Sequence, residues 1–222
     1  MNTIIISDLH IGSRFFLSQD FERFIGNLPE DENLVLNGDV IDNPHQKLGP
    51  RHQGALDLIE QISYCRRVFW VRGNHDNGIA HRALGKVCFE RQHDIDGKLL
   101  IAHGDFFDEI MPKCRLFIRV FRFMHDLRVK LGARPVHVAH YAKKWQILYS
   151  VLRKNVMENA VNYAIANGYE AVACGHTHYP EDQVCKGVRY LNTGTWTERP
   201  VYCIHVTATE MNLKMIENLS RN

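Results

Sequence analysis

The sequence predicts an α/β fold: a two-sheet β-sandwich flanked by helices and interrupted by one helical insertion. Three observations lead there. Short β-branched runs recur along the chain, helical patterns fill the early gaps between them, and the stretch 106–169 contains no such run. The runs lie at 3–7, 33–36, 67–71, 98–102, 171–173, 188–191 and 201–206, each closed by polar or Gly-rich residues that end a strand. Helical spacing at 20–27 and 53–63 separates the first three, the alternation expected of parallel strands. Short turns such as Cys185-Lys186-Gly187 join the late runs, which read as an antiparallel second sheet. At 222 residues and 45% hydrophobic content the chain suits a single domain, 1–222, with a large buried core and the insertion at about 106–169.

The insertion carries two helical patterns. In 115–131, Leu116, Phe117, Val120, Phe121, Met124 and Leu127 fall at helical spacing, with Arg115, Arg119, Arg122 and Arg128 around them. The second, longer pattern covers 141–167, after Gly132-Ala133-Arg134-Pro135. Between Phe106 and Glu170 there are 11 Lys and Arg against 5 acids, a local net charge of +6 in a chain whose overall charge is +2. That global balance argues against a nucleic-acid binder, so any basic surface is local. The six cysteines are scattered without a C-x-x-C pair, which excludes a zinc ribbon or disulfide scaffold and fits reduced cytoplasmic thiols. The opening has no basic, apolar leader pattern, and no uncharged apolar stretch is long enough for a membrane span.

Chemistry concentrates in five short blocks: Ser7-Asp8-Leu9-His10, Asn37-Gly38-Asp39, Gly73-Asn74-His75-Asp76, His103-Gly104-Asp105 and Gly175-His176-Thr177-His178. Each sits at or just after the end of a β-branched run, so their side chains gather at one sheet edge where loops converge. Asp8, His10, Asp39, Asn74, His103, His176 and His178 provide the number of groups needed by two divalent ions that take four protein ligands each and share one. Asp39 is the natural bridge, because a carboxylate has two oxygens to divide. Oxygen and imidazole donors without thiolate suit Mn²⁺, with Fe²⁺, Zn²⁺ or Co²⁺ as alternatives, and disfavour a structural Cys-type zinc site. Two divalent ions held by the two carboxylates Asp8 and Asp39 keep a net positive charge that attracts an anionic phosphoester.

This series of blocks, spanning residues 8 to 178, resembles the calcineurin-like metallophosphoesterase family, whose pattern runs Asp-x-His, Gly-Asp, Gly-Asn-His-Asp/Glu, His and Gly-His-x-His. The resemblance implies that Asp8, His10 and His178 hold one ion, that Asn74, His103 and His176 hold the other, and that Asp39 bridges. It also gives His75 a catalytic role facing the substrate, with Asp76 fixing its ring, and makes Asp42 and Asp105 candidate partners of ligand imidazoles.

The opening Ile-Ser-Asp-Leu-His, the helical insertion and the ending Asn192-Thr193-Gly194-Thr195-Trp196 are similar to the lipid A pathway pyrophosphatases that cleave UDP-2,3-diacylglucosamine. Many of those carry Arg where this chain has His75, a departure toward the general phosphoesterase pattern. By this resemblance the insertion is a lid over acyl chains of a phosphorylated lipid or small-molecule partner. The coincidence of the apolar stripe with the +6 charge makes Arg119, Arg122, Phe121 and Met124 candidate substrate-binding residues and allows peripheral contact with the inner membrane face. The alternatives are a soluble nucleotide phosphodiesterase, a phosphoprotein or small-molecule phosphatase, and a non-catalytic scaffold. For the insertion the alternative is a set of helices that only pack on the core.

Overall fold

The computed structural model describes residues 2–76 and 84–217, with the side chains of 115–118 and 122 also outside that description. The first sheet begins with β1 (Thr3–Ile6), β2 (Asn33–Asn37), β3 (Val68–Val71) and β4 (Cys88–Glu90), all parallel in sequential order. Helix α1 (Ser18–Gly26) and helix α2 (Pro50–Ile62) make two of the crossovers. Pro50 opens α2, where its missing N–H would be unpaired in any case. The second sheet contains β5 (His93–Ile95), β6 (Leu99–Ile101), β7 (Ala171–Cys174), β8 (Pro180–Cys185) and β9 (Val188–Thr193), in the order β5-β6-β7-β9-β8. The chain then returns to the first sheet as β10 (Tyr202–Val206) and β11 (Met211–Met215), giving the order β11-β10-β1-β2-β3-β4.

The two-sheet sandwich is as the sequence predicts, but the late strands do not form a separate antiparallel sheet. β7 and β9 run parallel to β6, and β10 pairs antiparallel with β1. Antiparallel pairing within the second sheet is confined to the hairpins. The β8–β9 turn places Lys186 and Gly187 at φ 52° and 83°, and the β5–β6 turn places Asp96 and Gly97 at 56° and 67°. These are the left-handed conformations of a tight hairpin turn. The sequence reading also omits β4, β5, β8 and β11, which are short or largely exposed and so show little apolar signal.

Alternation along the strands builds three apolar layers. Ile5, Val35 and Val71 meet Leu99, Ile101, Ala173 and Leu191 between the sheets. Ile4, Ile6, Leu34, Leu36 and Trp70 face outward against Phe21, Phe24, Leu56 and Ile59 of the helices. Leu100, Val172 and Tyr190 face the other side, covered by Val156, Ala160 and Ala164. Strands covered on both faces must be apolar throughout, which is why the early runs read without alternation.

The insertion comprises α3 (Arg115–Lys130), α4 (Val138–Ala142) and α5 (Gln146–Ala166), preceded by a 3-10 turn at Asp105–Phe107. The second expected helix is therefore divided at 143–145. Lys143, at this break, pairs with Glu198 on the loop after β9, together with His140 of α4. Helix α3 departs further from expectation. Phe121 turns inward, its ring 5.2 Å from Tyr141 and 5.6 Å from Trp145, and His125 follows it. Val120, Phe123, Met124, Leu127 and Leu131 are exposed instead, at 44–78% of their full area. The expected stripe thus splits: Phe121 forms the insertion's own core, Val120, Met124 and Leu127 look outward, and the side chains of Leu116 and Phe117 lie outside the described residues.

Candidate metal centre

All five blocks follow the C-terminal ends of parallel strands β1, β2, β3, β6 and β7, so the topology delivers them to one edge. Three strand-end devices then turn the side chains together. The first is backbone conformation: Asp8, His10, Asp39, His176 and His178 all lie in the left-handed region, at φ between 50° and 64°. For a non-glycine residue this costs on the order of 1–3 kcal/mol, and such strain collects where function needs it. Among the described residues, the other non-glycine cases are the two hairpin-turn positions. The second device is close approach at glycine. A Cβ on Gly38 would run into the ring of His103, and one on Gly175 into Asp8 and Ser7. The third is a set of buried amides and hydroxyls. Asn37 donates to the carbonyls of Ala102 and Ala173, joining the two sheets, and its own carbonyl accepts from His103 Nδ1 at 2.9 Å. Asn192 donates to Gly175 O at 2.7 Å, and Thr195 Oγ1 donates to Asp8 O at 3.0 Å. Beside them Trp196, fully buried against Phe21 and Phe24, ties helix α1 to the Asp8 loop.

Within this frame two groups that could each hold an ion match the sequence reading, Asp8, His10 and His178, and Asp39, His103 and His176, while a third, His10, Asp42 and His75, shares His10 with the first. Asn74 joins the second, its Oδ1 lying 3.1 Å from His176 Nδ1. In the first group His10 Nε2 and His178 Nε2 face each other at 3.2 Å, with Asp8 Oδ1 3.1 Å from His178 Nε2. Two facing imidazole nitrogens can share at most one proton, so the three lone-pair atoms converge as a metal would require. In the second, His103 Nε2 lies 3.2 Å from Asp39 Oδ2 without hydrogen-bond geometry and is otherwise unpaired. The donor set fits two divalent cations.

Electrostatics say the same. Asp8 and Asp39 are almost wholly buried, which alone would raise their pKa values, yet both are lowered by surrounding imidazoles, His178 and His103 foremost. Burial works against charge on His10 and His103 as well, and the carboxylates overcome it, raising both. Buried negative charge here demands positive charge beside it.

The surrounding partners agree with the sequence reading in part. Asp42 accepts from His10 Nδ1 at 3.0 Å, as expected of it. For His176 the carboxylate is Asp108, 2.8 Å from Nε2, rather than a residue of the five blocks. Its other oxygen caps the turn at Ile110 and Met111, so Asp108 also pins the start of the insertion. Asp105 makes no such bond among the described residues. Asp76 does not fix the His75 ring. Its carboxylate is buried and accepts from Gly73 N, Ile41 N and Trp70 Nε1, and burial with the nearby Asp39 charge pushes it up to about 6. The His75 ring is oriented by Asp42 O, 2.6 Å from Nδ1, while its backbone N–H donates to Asp39 Oδ1 at 2.8 Å.

Of the expected substrate residues, Phe121 is packed within the insertion, Arg119 and Met124 are exposed, and the side chain of Arg122 lies outside the described residues. A different insertion residue reaches the centre: His137, at the N-cap of α4. Its ring stacks on His178 at 5.4 Å and 18°, and lies 5.2 Å from His10. Burial, then the neighbouring His178 and His10, push its pKa down to about 3. Phe15 meets His137 edge-on at 5.9 Å with Arg14 over its other face, whereas Phe16 belongs to the core. Nothing in the local sequence around His137 marks it, because it is brought there by the insertion's tertiary path.

A two-sheet sandwich with two acid–imidazole groups sharing a strand-end edge defines a candidate binuclear metal protein. The calcineurin-like phosphoesterase family matches residues 1–180, and the chain belongs to that family. It is 25% identical, over 89% of its length, to the DNA polymerase II small subunit of Thermoplasma acidophilum, and 23% identical, over 87%, to that of Archaeoglobus fulgidus. It covers 45% and 46% of them, so the chain spans about half the length of these curated relatives. Among solved structures, Vps29 of Chaetomium thermophilum is 12% identical, with a TM-score of 0.50, over 96% of this chain and 83% of its own. YfcE, a phosphoesterase from E. coli, is 16% identical with a TM-score of 0.49, over 94% and 89%. These similarities concern the fold.

The contact with Asp108 makes a prediction. Asp108→Ala should weaken metal binding by about 10–100-fold, the usual effect of removing a carboxylate behind a ligand imidazole. Asp105→Ala should have a smaller effect. Titration of Mn²⁺ into both variants by calorimetry checks the order, and equal affinities would remove Asp108 from the centre.

Proposed function

We propose that the protein is a metal-dependent hydrolase of phosphoester or pyrophosphate bonds. The observation that carries this reading is the presence of two donor groups at one strand edge, with Asp39 belonging to one and its charge acting on His10 of the other. In it Asp8, His10 and His178 hold one ion, Asn74, His103 and His176 the other, and Asp39 is shared, with Mn²⁺ the first choice and Fe²⁺, Zn²⁺ or Co²⁺ alternatives. When bound, such a pair of ions activates water and polarises the phosphoryl oxygens. The residues do the rest. Asp42 O occupies His75 Nδ1 and leaves Nε2 to face substrate; protonated there, the ring donates to the departing oxygen. Asp76 holds the loop on which His75 sits, by way of Gly73 and Ile41.

The substrate best suited to the insertion is a phosphorylated lipid of the nucleotide-sugar kind, UDP-2,3-diacylglucosamine being the type. Support comes from α3. Its outward residues Val120, Phe123, Met124, Leu127 and Leu131 form an exposed apolar stripe at helical spacing, with exposed Arg119 and Lys130 beside it. No described helix is long and apolar enough to cross a membrane, so contact with lipid would be peripheral. A second reading, a phosphodiesterase of soluble or polynucleotide substrates, is favoured by the similarity to the DNA polymerase small subunits. Turnover across nucleotide-sugar lipids, simple phosphodiesters and short oligonucleotides separates the two.

Asp39→Asn should remove bound metal and activity together, whereas His75→Ala should keep both ions and slow turnover by roughly 10²–10⁴-fold. Metal analysis beside a phosphodiester assay checks both, and full activity in metal-stripped protein would overturn the proposal. For the lipid reading, Met124→Asp should depress turnover of an acylated substrate at least about tenfold and leave a small phosphodiester unaffected, since only the former uses the apolar stripe for binding. Equal losses would mean damage to the insertion's packing.

A further inference from the structure

Resting on the phosphoesterase reading, we infer that His137 is a substrate-contacting hydrogen-bond donor supplied by the insertion, and that Glu198 is the residue that positions it. His137 belongs to none of the donor groups. It nevertheless lies against His10, as does His75, whose ring is 5.0 Å from His10. His137 and the proposed substrate-facing His75 therefore both pack on one ligand ring.

The hydrogen bonds of His137 fix its protonation. Nδ1 accepts from Ala139 N at 3.4 Å, capping α4, and a ring nitrogen that accepts carries no proton. The neutral ring must then carry its proton on Nε2, which has no partner among the described residues. A partly buried histidine that only caps a helix needs no such donor; one lying beside the proposed metal centre can use it to hold a phosphoryl or leaving oxygen.

Its placement depends on Glu198. His140, one turn along α4 from His137, and Lys143 at its C-terminal cap both pair with the Glu198 carboxylate, on the loop that also anchors Trp196 and pairs Arg199 with Asp20. Two further contacts hold the longer helix to the His176–His178 loop. Tyr149 donates its hydroxyl proton to Thr177 O, and Arg153 lies 3.5 Å over the Tyr179 ring while pairing with Glu181. The short helix that carries His137 also packs Tyr141 on Phe121 and His125 of α3, but those contacts stay within the insertion, whereas Glu198 ties it to the loop after β9.

The test uses the full chain loaded with Mn²⁺, with bis(p-nitrophenyl) phosphate as substrate and inorganic phosphate as a binding probe. His137→Asn retains a good N-cap acceptor while withdrawing the Nε2 donor, so it separates capping from substrate contact. We expect His137→Asn and His137→Ala alike to keep metal stoichiometry, lower kcat by about 10²-fold and weaken phosphate binding. Glu198→Gln should lower kcat by about tenfold in the wild-type background and cause no further loss in His137→Asn, the non-additivity of residues acting through one another. Wild-type kinetics in His137→Asn would show that His137 only caps α4, and loss of metal would make it a ligand or a structural residue; either overturns the inference. Additive losses would free Glu198 of its positioning role. Were the unmodified protein inactive with every metal, the phosphoesterase reading would fall, and phosphate affinity in His137→Asn would still decide whether His137 contacts an anion.

Discussion

Asp8 and Asp39 are carboxylates with almost no solvent contact, set just past the ends of β1 and β2 at the edge of a sandwich filled with aliphatic side chains. A buried charge of that kind costs several kcal/mol unless matched, and most of the surrounding structure can be traced to matching it. Four imidazoles, two backbone N–H groups and the Ser7 hydroxyl converge on these two acids or on their ligand neighbours. Bringing them within reach forces five residues into left-handed backbone and leaves no room for a side chain at Gly38 or Gly175. The strain is tolerated because the parallel strands beneath are buried on both faces and stay in register whatever their ends do.

That dependence explains what could be seen in the sequence. The strand-end blocks were legible because each needs a particular chemical type at fixed spacing: Asp8 two residues from His10, Gly38 before Asp39, His176 two residues from His178. The early strands were legible because burial on both faces makes them continuously apolar. Sheet membership of the late strands was not, since β7, β9 and β10 carry similar apolar residues and only pairing decides that two lie parallel in one sheet and the third crosses to the other. Asp76 shows the same boundary at the site. Its position beside His75 suggested a partnership, but the carboxylate is used up by Gly73, Ile41 and Trp70, contacts that no local spacing encodes.

The insertion is where local pattern and tertiary outcome part most. Periodicity located α3 within a residue at its end and said nothing about its rotation. Phe121, His125 and Arg128 share the inward face, gathered around Tyr141, while the more regular stripe from Val120 to Leu131 is exposed. A helix that buries a mixed face and exposes an apolar one reverses the ordinary preference, and it does so at a cost of roughly 25 cal/mol for each Å² of apolar surface left in water. Core packing alone does not account for that orientation, whereas contact with the acylated substrate proposed above would.

The link between insertion and centre is polar. Asp108 holds both the His176 ring and the turn leading into α3, Tyr149 reaches Thr177 between the two histidines, and Glu198 holds α4. Two of these contacts join the insertion to a residue at or beside the donor groups, and the third fixes the helix that carries His137. Any displacement of the insertion would therefore be felt at His176, at the loop around Thr177 and at His137. An apolar group that settles the α3 face and an anion that settles between the donor groups would in this way each favour the arrangement the other needs, since a ligand shifts a conformational equilibrium only by its differential contacts with the two states. Cooperation between the two ends of one amphipathic molecule then requires nothing beyond the ion pairs and hydrogen bonds already in place.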